Sequence, residues 1–395
     1  MSVATQNRKT SLVRTFLNVN INAMDQDYLA CPLGVLFLLS SIVGSRAVGG
    51  QAGMELVRAL RLRSTIAENN LQQAMYESKL LYRELVDDLV AEQSVINRRR
   101  LGIITVSNGM FVRDDYRMLP NFLRSIQNDF QVTVQQTNFR NQSDAADRIN
   151  RWIYSETRGL VLRFVSRPQE LSLSTRLALF NVVTFRENWN MPFTSSRTTT
   201  AEFHLDGYKK AGVSMMHVVE EMPYASMPDK GIIMIRKFFK NTRFSFIVVL
   251  PTERWERKGI DRMLTGQYNI RDLVAAQQLE SVSLKMPKFR MQQTSELTSV
   301  LKSMGVISIF QRGEADFSGM TDTDDMHIGM VKQGAVLSVS EIGVEPAGVT
   351  ASISGASTRL EPTVEFIVDQ PFVCMIYDEQ FKLPVFTARV IRPQL

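Results

Sequence analysis

The run LALFNVVTF, from Leu177 to Phe185, restricts the fold more than any other segment. It is too continuously apolar for burial on one face, so it predicts a strand covered on both sides. ITVSNGMFV, beginning at Ile104, reads the same way. Before it the texture is helical. An apolar block follows Pro32 from Leu33 to Ile42, Met54, Leu56, Val57 and Leu60 recur at helical spacing, and so do Leu80, Leu81, Leu85, Val86 and Leu89. Helices are also predicted over Phe122 to Phe130 and Ala145 to Tyr154. Beyond residue 180 strands dominate: GIIMI, FSFIVVLP, VSLKMPKF, AVLSVS, VEFIVD, FVCMIY and PVFTARVI. One late helix is predicted over Ser295 to Met304, stopped by Gly305. Helices first and strands after define an α+β class rather than an alternating α/β one. No linker, composition shift or internal repeat divides the chain, so residues 1–395 read as a single domain.

One segment stands apart. EIGVEPAGVTASISGASTRLEPT, 341–363, is rich in small residues between two strand patterns. A structureless stretch of this length in a compact domain is uncommon and often functional.

Enzyme classes are excluded by what the chain lacks. Its three histidines, His204, His217 and His327, sit beside no GxSxG elbow and in no zinc spacing. No phosphate-cradling glycine loop is present. Asp322, Asp324 and Asp325 lack the glycine and distal glutamate of an EF-hand. The chain therefore reads as a non-enzyme without metal or cofactor. Cys31 and Cys374 cannot build a disulfide framework and are expected to be thiols. No apolar stretch is long enough to cross a membrane. The first twenty residues have no apolar block after their basic ones, so no signal peptide is expected. The net charge of +6 is mild, and its one dense basic cluster is Arg98-Arg99-Arg100. A sequon, Asn141-Gln142-Ser143, completes the inventory.

Several ordered blocks resemble one family. LALFNVVTFRENWNMPF is similar to the serpin block LVLxNAxYFKGxWxxPF through Asn181, Phe185, Trp189, Pro192 and Phe193. INRWIYSETRG resembles INxWVxxxTxG through Ile149, Asn150, Trp152, Thr157 and Gly159. SNGMF, VSMM, KMPKF and LTSVLKSMGVISIFQRGEADFSGM follow in family order, and DQPFVCMIYDEQFKLPVFTARVIRP resembles the family's C-terminal block. The resemblance implies three β-sheets, eight or nine α-helices, an exposed reactive-centre loop, a metastable monomer and a secreted, extracellular setting. Without a signal peptide a cytoplasmic setting is the other expectation. It makes the small-residue segment the loop that a serine protease cleaves and that then inserts as a strand into the main sheet.

In the hinge, Glu341 and Gly343 match the inhibitory pattern. Val344 replaces the usual Thr or Ser, and Pro346 opens the small run that continues with Ala347 and Gly348. A central strand pairs on both sides, and proline brings no N–H. The resemblance therefore implies a non-inhibitory, substrate-like or binding role. The alternative is a serine-protease inhibitor that tolerates an atypical hinge. Counting on from Glu341 places the scissile bond at Ser357-Thr358, with Arg359 preceding it if the register slips by two. Trp189, Lys288 and Glu341 match the point where the loop first enters, and a Lys288–Glu341 ion pair is expected. Under the sheet, Cys31 and Gly34 stand where the family has serines, Asn181 is retained, and Gln333 replaces a histidine. Two hydroxyls are thus lost, and an amide stands in for an imidazole. Partners implied are a serine protease or other protein, and a polyanion held weakly by Arg98, Arg99 and Arg100.

Overall fold

A computed structural model describes residues 26–60, 71–90, 103–256, 258–264, 267–344 and 361–394. In chain order these form β1 (Tyr28–Ala30), α1 (Pro32–Gly44), α2 (Gly50–Ala59), α3 (Leu71–Val90), β2 (Ile104–Arg113), α4 (Pro120–Asn128), β3 (Thr133–Thr137) and α5 (Gln142–Glu156). Then follow β4 (Leu177–Phe185), β5 (Glu187–Asn188), β6 (Thr199–His204), β7 (Lys210–Met227), β8 (Ile232–Phe238), β9 (Phe244–Pro251), α6 (Lys258–Leu264) and α7 (Ile270–Ala275). The last are β10 (Gln278–Pro287), β11 (Phe289–Glu296), α8 (Thr298–Ser303), β12 (Ile328–Val339), β13 (Gly343–Val344), β14 (Val364–Ile367), β15 (Phe372–Asp378) and β16 (Leu383–Val390). Eight α-helices thus lie among the described residues.

The fold divides into two compact units. The first holds the described residues of 32–184 and 294–335, the second those up to Cys31 and of 185–293 and 336–394. In the first unit the main sheet runs β3-β2-β4-β12. β4 is buried at every residue, as its unbroken apolar run requires. It pairs in parallel with β12, with Asn181 opposite Gln333. Helix α1 is buried along its whole length, which explains why its sequence has no polar stripe. Phe37 of α1 meets Tyr82 of α3 edge-on at 5.3 Å. Trp152 of α5 lies over Gly109 of β2, where a Cβ would come within 2.6 Å of the indole.

In the second unit the strands run β1-β16-β15-β9-β8-β7-β10-β14, with β6 on β7. The 18-residue β7 explains the continuity. Most of its length pairs with β6 and β10, and its last residues, Tyr224 to Met227, pair with β8. One long strand therefore joins these strands into a single nine-stranded sheet, so the described residues form two hydrogen-bonded sheets where the resemblance implied three.

Several boundaries differ from the sequence reading, among them the helix predicted to Phe130, which ends at Asn128. VSLKMPKF is two strands broken at Lys288, whose N–H donates to Ser214 O. The late helix starts at Thr298 rather than Ser295, because β11 runs on through Glu296 and Leu297 N–H bonds to Val331 O. Gly305 follows it at φ +88°, a conformation that favours glycine.

Candidate functional site: the loop hinge and the amide chain

The chain leaves β12 at Val339, turns, and comes back. Ser340 N–H donates to Gly343 O at 2.9 Å, and Ser340 Oγ donates to the same carbonyl at 3.1 Å. β13 then pairs on both sides. Val344 lies opposite Val339 of β12, while Gly343 and Val344 lie opposite Asn188 and Glu187 of β5. Val344 is fully buried. Gly343 is required here, because a Cβ would stand 2.2 Å from Glu187 O. The first two strand-forming residues of the hinge are thus already in the sheet, and a β-branched valine fits that place well.

Three carbonyls of the turn are gripped in order. Trp189 Nε1–H donates to Ser340 O at 2.9 Å. Phe193 N–H donates to Glu341 O, and Trp189 N–H to Ile342 O, both at 2.9 Å. The Glu341 carboxylate lies 3.1 Å from Lys288 Nζ and accepts from Thr198 Oγ1 at 3.1 Å. Burial pushes the Glu341 carboxyl upward, but its own N–H, Lys288 and Thr198 outweigh that and hold it below the usual range. Trp189, Lys288 and Glu341 therefore converge, as the resemblance implies. Thr198 and Phe193 complete the grip. Phe193 was legible only as a motif position, and Thr198 carried no sequence signal.

In the first unit a chain of amides crosses three adjacent strands. Gln333 Nε2 on β12 donates to Asn181 Oδ1 on β4 at 2.8 Å, and Asn181 Nδ2 donates to Asn108 Oδ1 on β2 at 2.8 Å. All three side chains are buried. Gly34 of α1 makes room for them: a Cβ there would lie 2.2 Å from Asn181 Oδ1 and 2.8 Å from Gln333 Nε2. The glycine read as a lost hydroxyl is the space the amide chain occupies. Asn108 is the asparagine of the SNGMF block and was legible only as a motif position. Cys31, at the end of β1 in the second unit, is buried; it and Cys374 form no disulfide. Pro346, Ala347, Gly348, Ser357, Thr358 and Arg98, Arg99 and Arg100 lie outside the described residues.

The chain thus ends β12, turns, and seats a two-residue strand between β12 and β5. The chain matches the family model described as Serpin (serine protease inhibitor) over residues 9–393, and it belongs to the serpin family. It is similar to a solved serpin from the trematode Schistosoma haematobium, with 31% identity, a TM-score of 0.89, and coverage of 98% of this chain and 100% of that one. A serpin structure from Schistosoma mansoni shares 32% identity with a TM-score of 0.88, covering 97% and 100%. Among curated relatives, the leukocyte elastase inhibitor of Xenopus laevis is 26% identical, covering 80% of this chain and 86% of that protein.

Proposed function

We propose that this serpin inhibits a serine protease by inserting its cleaved loop into the main sheet, and that it acts through a single domain rather than as a catalyst. The seating of β13 carries the reading, with Val344 paired to both β12 and β5 and Gly343 paired to β5. Insertion from there extends an existing strand between β12 and β5 instead of starting one. Val344, the first departure from the usual hinge, is accommodated with its side chain buried.

Pro346 supports a second, substrate-like reading. Carrying the register two residues past Val344 would set Pro346 opposite Phe185. Trp189 N–H bonds to Ile342 O, so alternate pairs on this side are the hydrogen-bonded ones. Insertion would then leave the Phe185 carbonyl without its donor, at a cost of about 1–3 kcal/mol. Felt in the transition state, that slows insertion roughly tenfold to a hundredfold, in a race against deacylation.

Elastase-like proteases are the first to try, given Ser357 before the bond and the name of the Xenopus relative; trypsin-like ones follow because of Arg359. Mixing the chain with each and resolving the products on a denaturing gel tests the proposal. A complex stable to detergent supports inhibition. Turnover without complex, and a cleaved product that melts where the intact chain does, overturns it in favour of the substrate-like reading. In that case Pro346→Ala is expected to restore the complex.

A further inference from the structure

Beneath the hinge lies a charge that loop insertion does not use. Lys237, on β8, has no exposed side-chain surface, and its ammonium pairs with the Glu220 carboxylate on β7. Desolvation drags its pKa below that of an ordinary lysine, against the pull of Glu220. The same ammonium lies 5.0 Å from the ring centroid of Phe193 and 5.8 Å from that of Trp189. A cation over an aromatic face at such distances is attracted to it, more strongly when both are dry. Trp189 is also stacked on Phe239 at 4.6 Å and meets Phe246 edge-on at 5.5 Å. Trp189 and Phe193 are the two residues whose N–H groups hold the carbonyls of Ser340, Glu341 and Ile342.

A buried ion pair is a poor way to fill a core. Well-packed apolar replacements are often neutral or stabilising. Packing alone therefore does not explain an ammonium at this position, whereas the two aromatic faces do. We propose that Lys237, with Glu220 as its counter-charge, is a positioning residue that fixes the rings of Trp189 and Phe193 and through them the backbone from which the reactive loop departs. The effect on insertion rate rests on the function proposed above; the grip itself does not.

The test uses the intact chain and no protease. Glu220→Gln with Lys237→Met removes both charges and so leaves no orphaned ion. Indole N–H exchange is followed by NMR for Trp152, Trp189 and Trp255. Exchange at Trp189 is expected to accelerate roughly tenfold, with the other two unchanged, while Lys237→Arg alone keeps the slow rate. Unchanged Trp189 exchange in the double variant overturns the proposal, and so does equal acceleration of all three indoles, which would mean general loosening. If the methionine variant does not fold, Glu220→Gln with Lys237→Gln, a neutral hydrogen-bonding pair, is read by the same criteria. Because the exchange is measured before any cleavage, failure to inhibit a protease leaves its outcome intact.

Discussion

His217 sits on β7 opposite Lys285, with its Nε2 3.1 Å from Ser283 Oγ. Burial lowers its pKa first, Lys285 and Arg197 lower it further, and Glu365 opposes them. The native state therefore resists a proton that the unfolded chain takes up near pH 6.5. Stability is expected to fall as pH drops through that value and to level off once the native imidazole is also charged. Urea unfolding across this range checks it, with a flatter profile for His217→Gln. Asn181 poses a different problem. Asn181→Ala removes the acceptor of Gln333 Nε2 and the donor to Asn108 Oδ1, so a loss of about 1–3 kcal/mol is expected in denaturant titration. A loss near zero would mean that water replaces the amide.

At the scale of elements, β13 is the most informative because it is so short. Gly343→Ala drives a Cβ into the Glu187 carbonyl. The strand is expected to leave the sheet, exposing the 340–344 turn to limited proteolysis at a higher rate than in the parent chain. An unchanged digestion rate would show that β5 gives way instead. The long strands were legible because their apolar runs need no knowledge of partners; Trp189, Lys288 and Asn181 were legible through the blocks that contain them, and Gln333 as the place of the family's histidine. β13 was not, since two residues carry no period. Glu220 and Lys237 were not either: their meeting depends on how β7 and β8 are set side by side, which no local pattern encodes. Gly34 was read as a deficit because the sequence could not display the oxygen that fills its place.

For the molecule as a whole, the chain passes between its two units after Cys31, Thr184, Gln293 and Ala335. Each unit is therefore assembled from separated stretches of sequence. No contiguous half contains a complete unit, so fragments ending or beginning near residue 184 are expected to show no cooperative unfolding transition by calorimetry. A half that melts cooperatively would refute the single-domain reading. The same interleaving explains why composition shows no boundary.

The hinge strand also bears on kinetics. Starting a strand between two others requires closing a loop before any bond repays it. With Gly343 and Val344 already in the sheet, insertion as proposed would start from a seated end rather than from a free one. On the function proposed above, what would remain after cleavage is to part β4 from β12, which pair directly from Leu177 to Val183, and to grow the strand between them from a fixed end. Substitutions beyond Val344 would then act in sequence order, the earliest weighing most on the rate, with Pro346 at the second step of that growth.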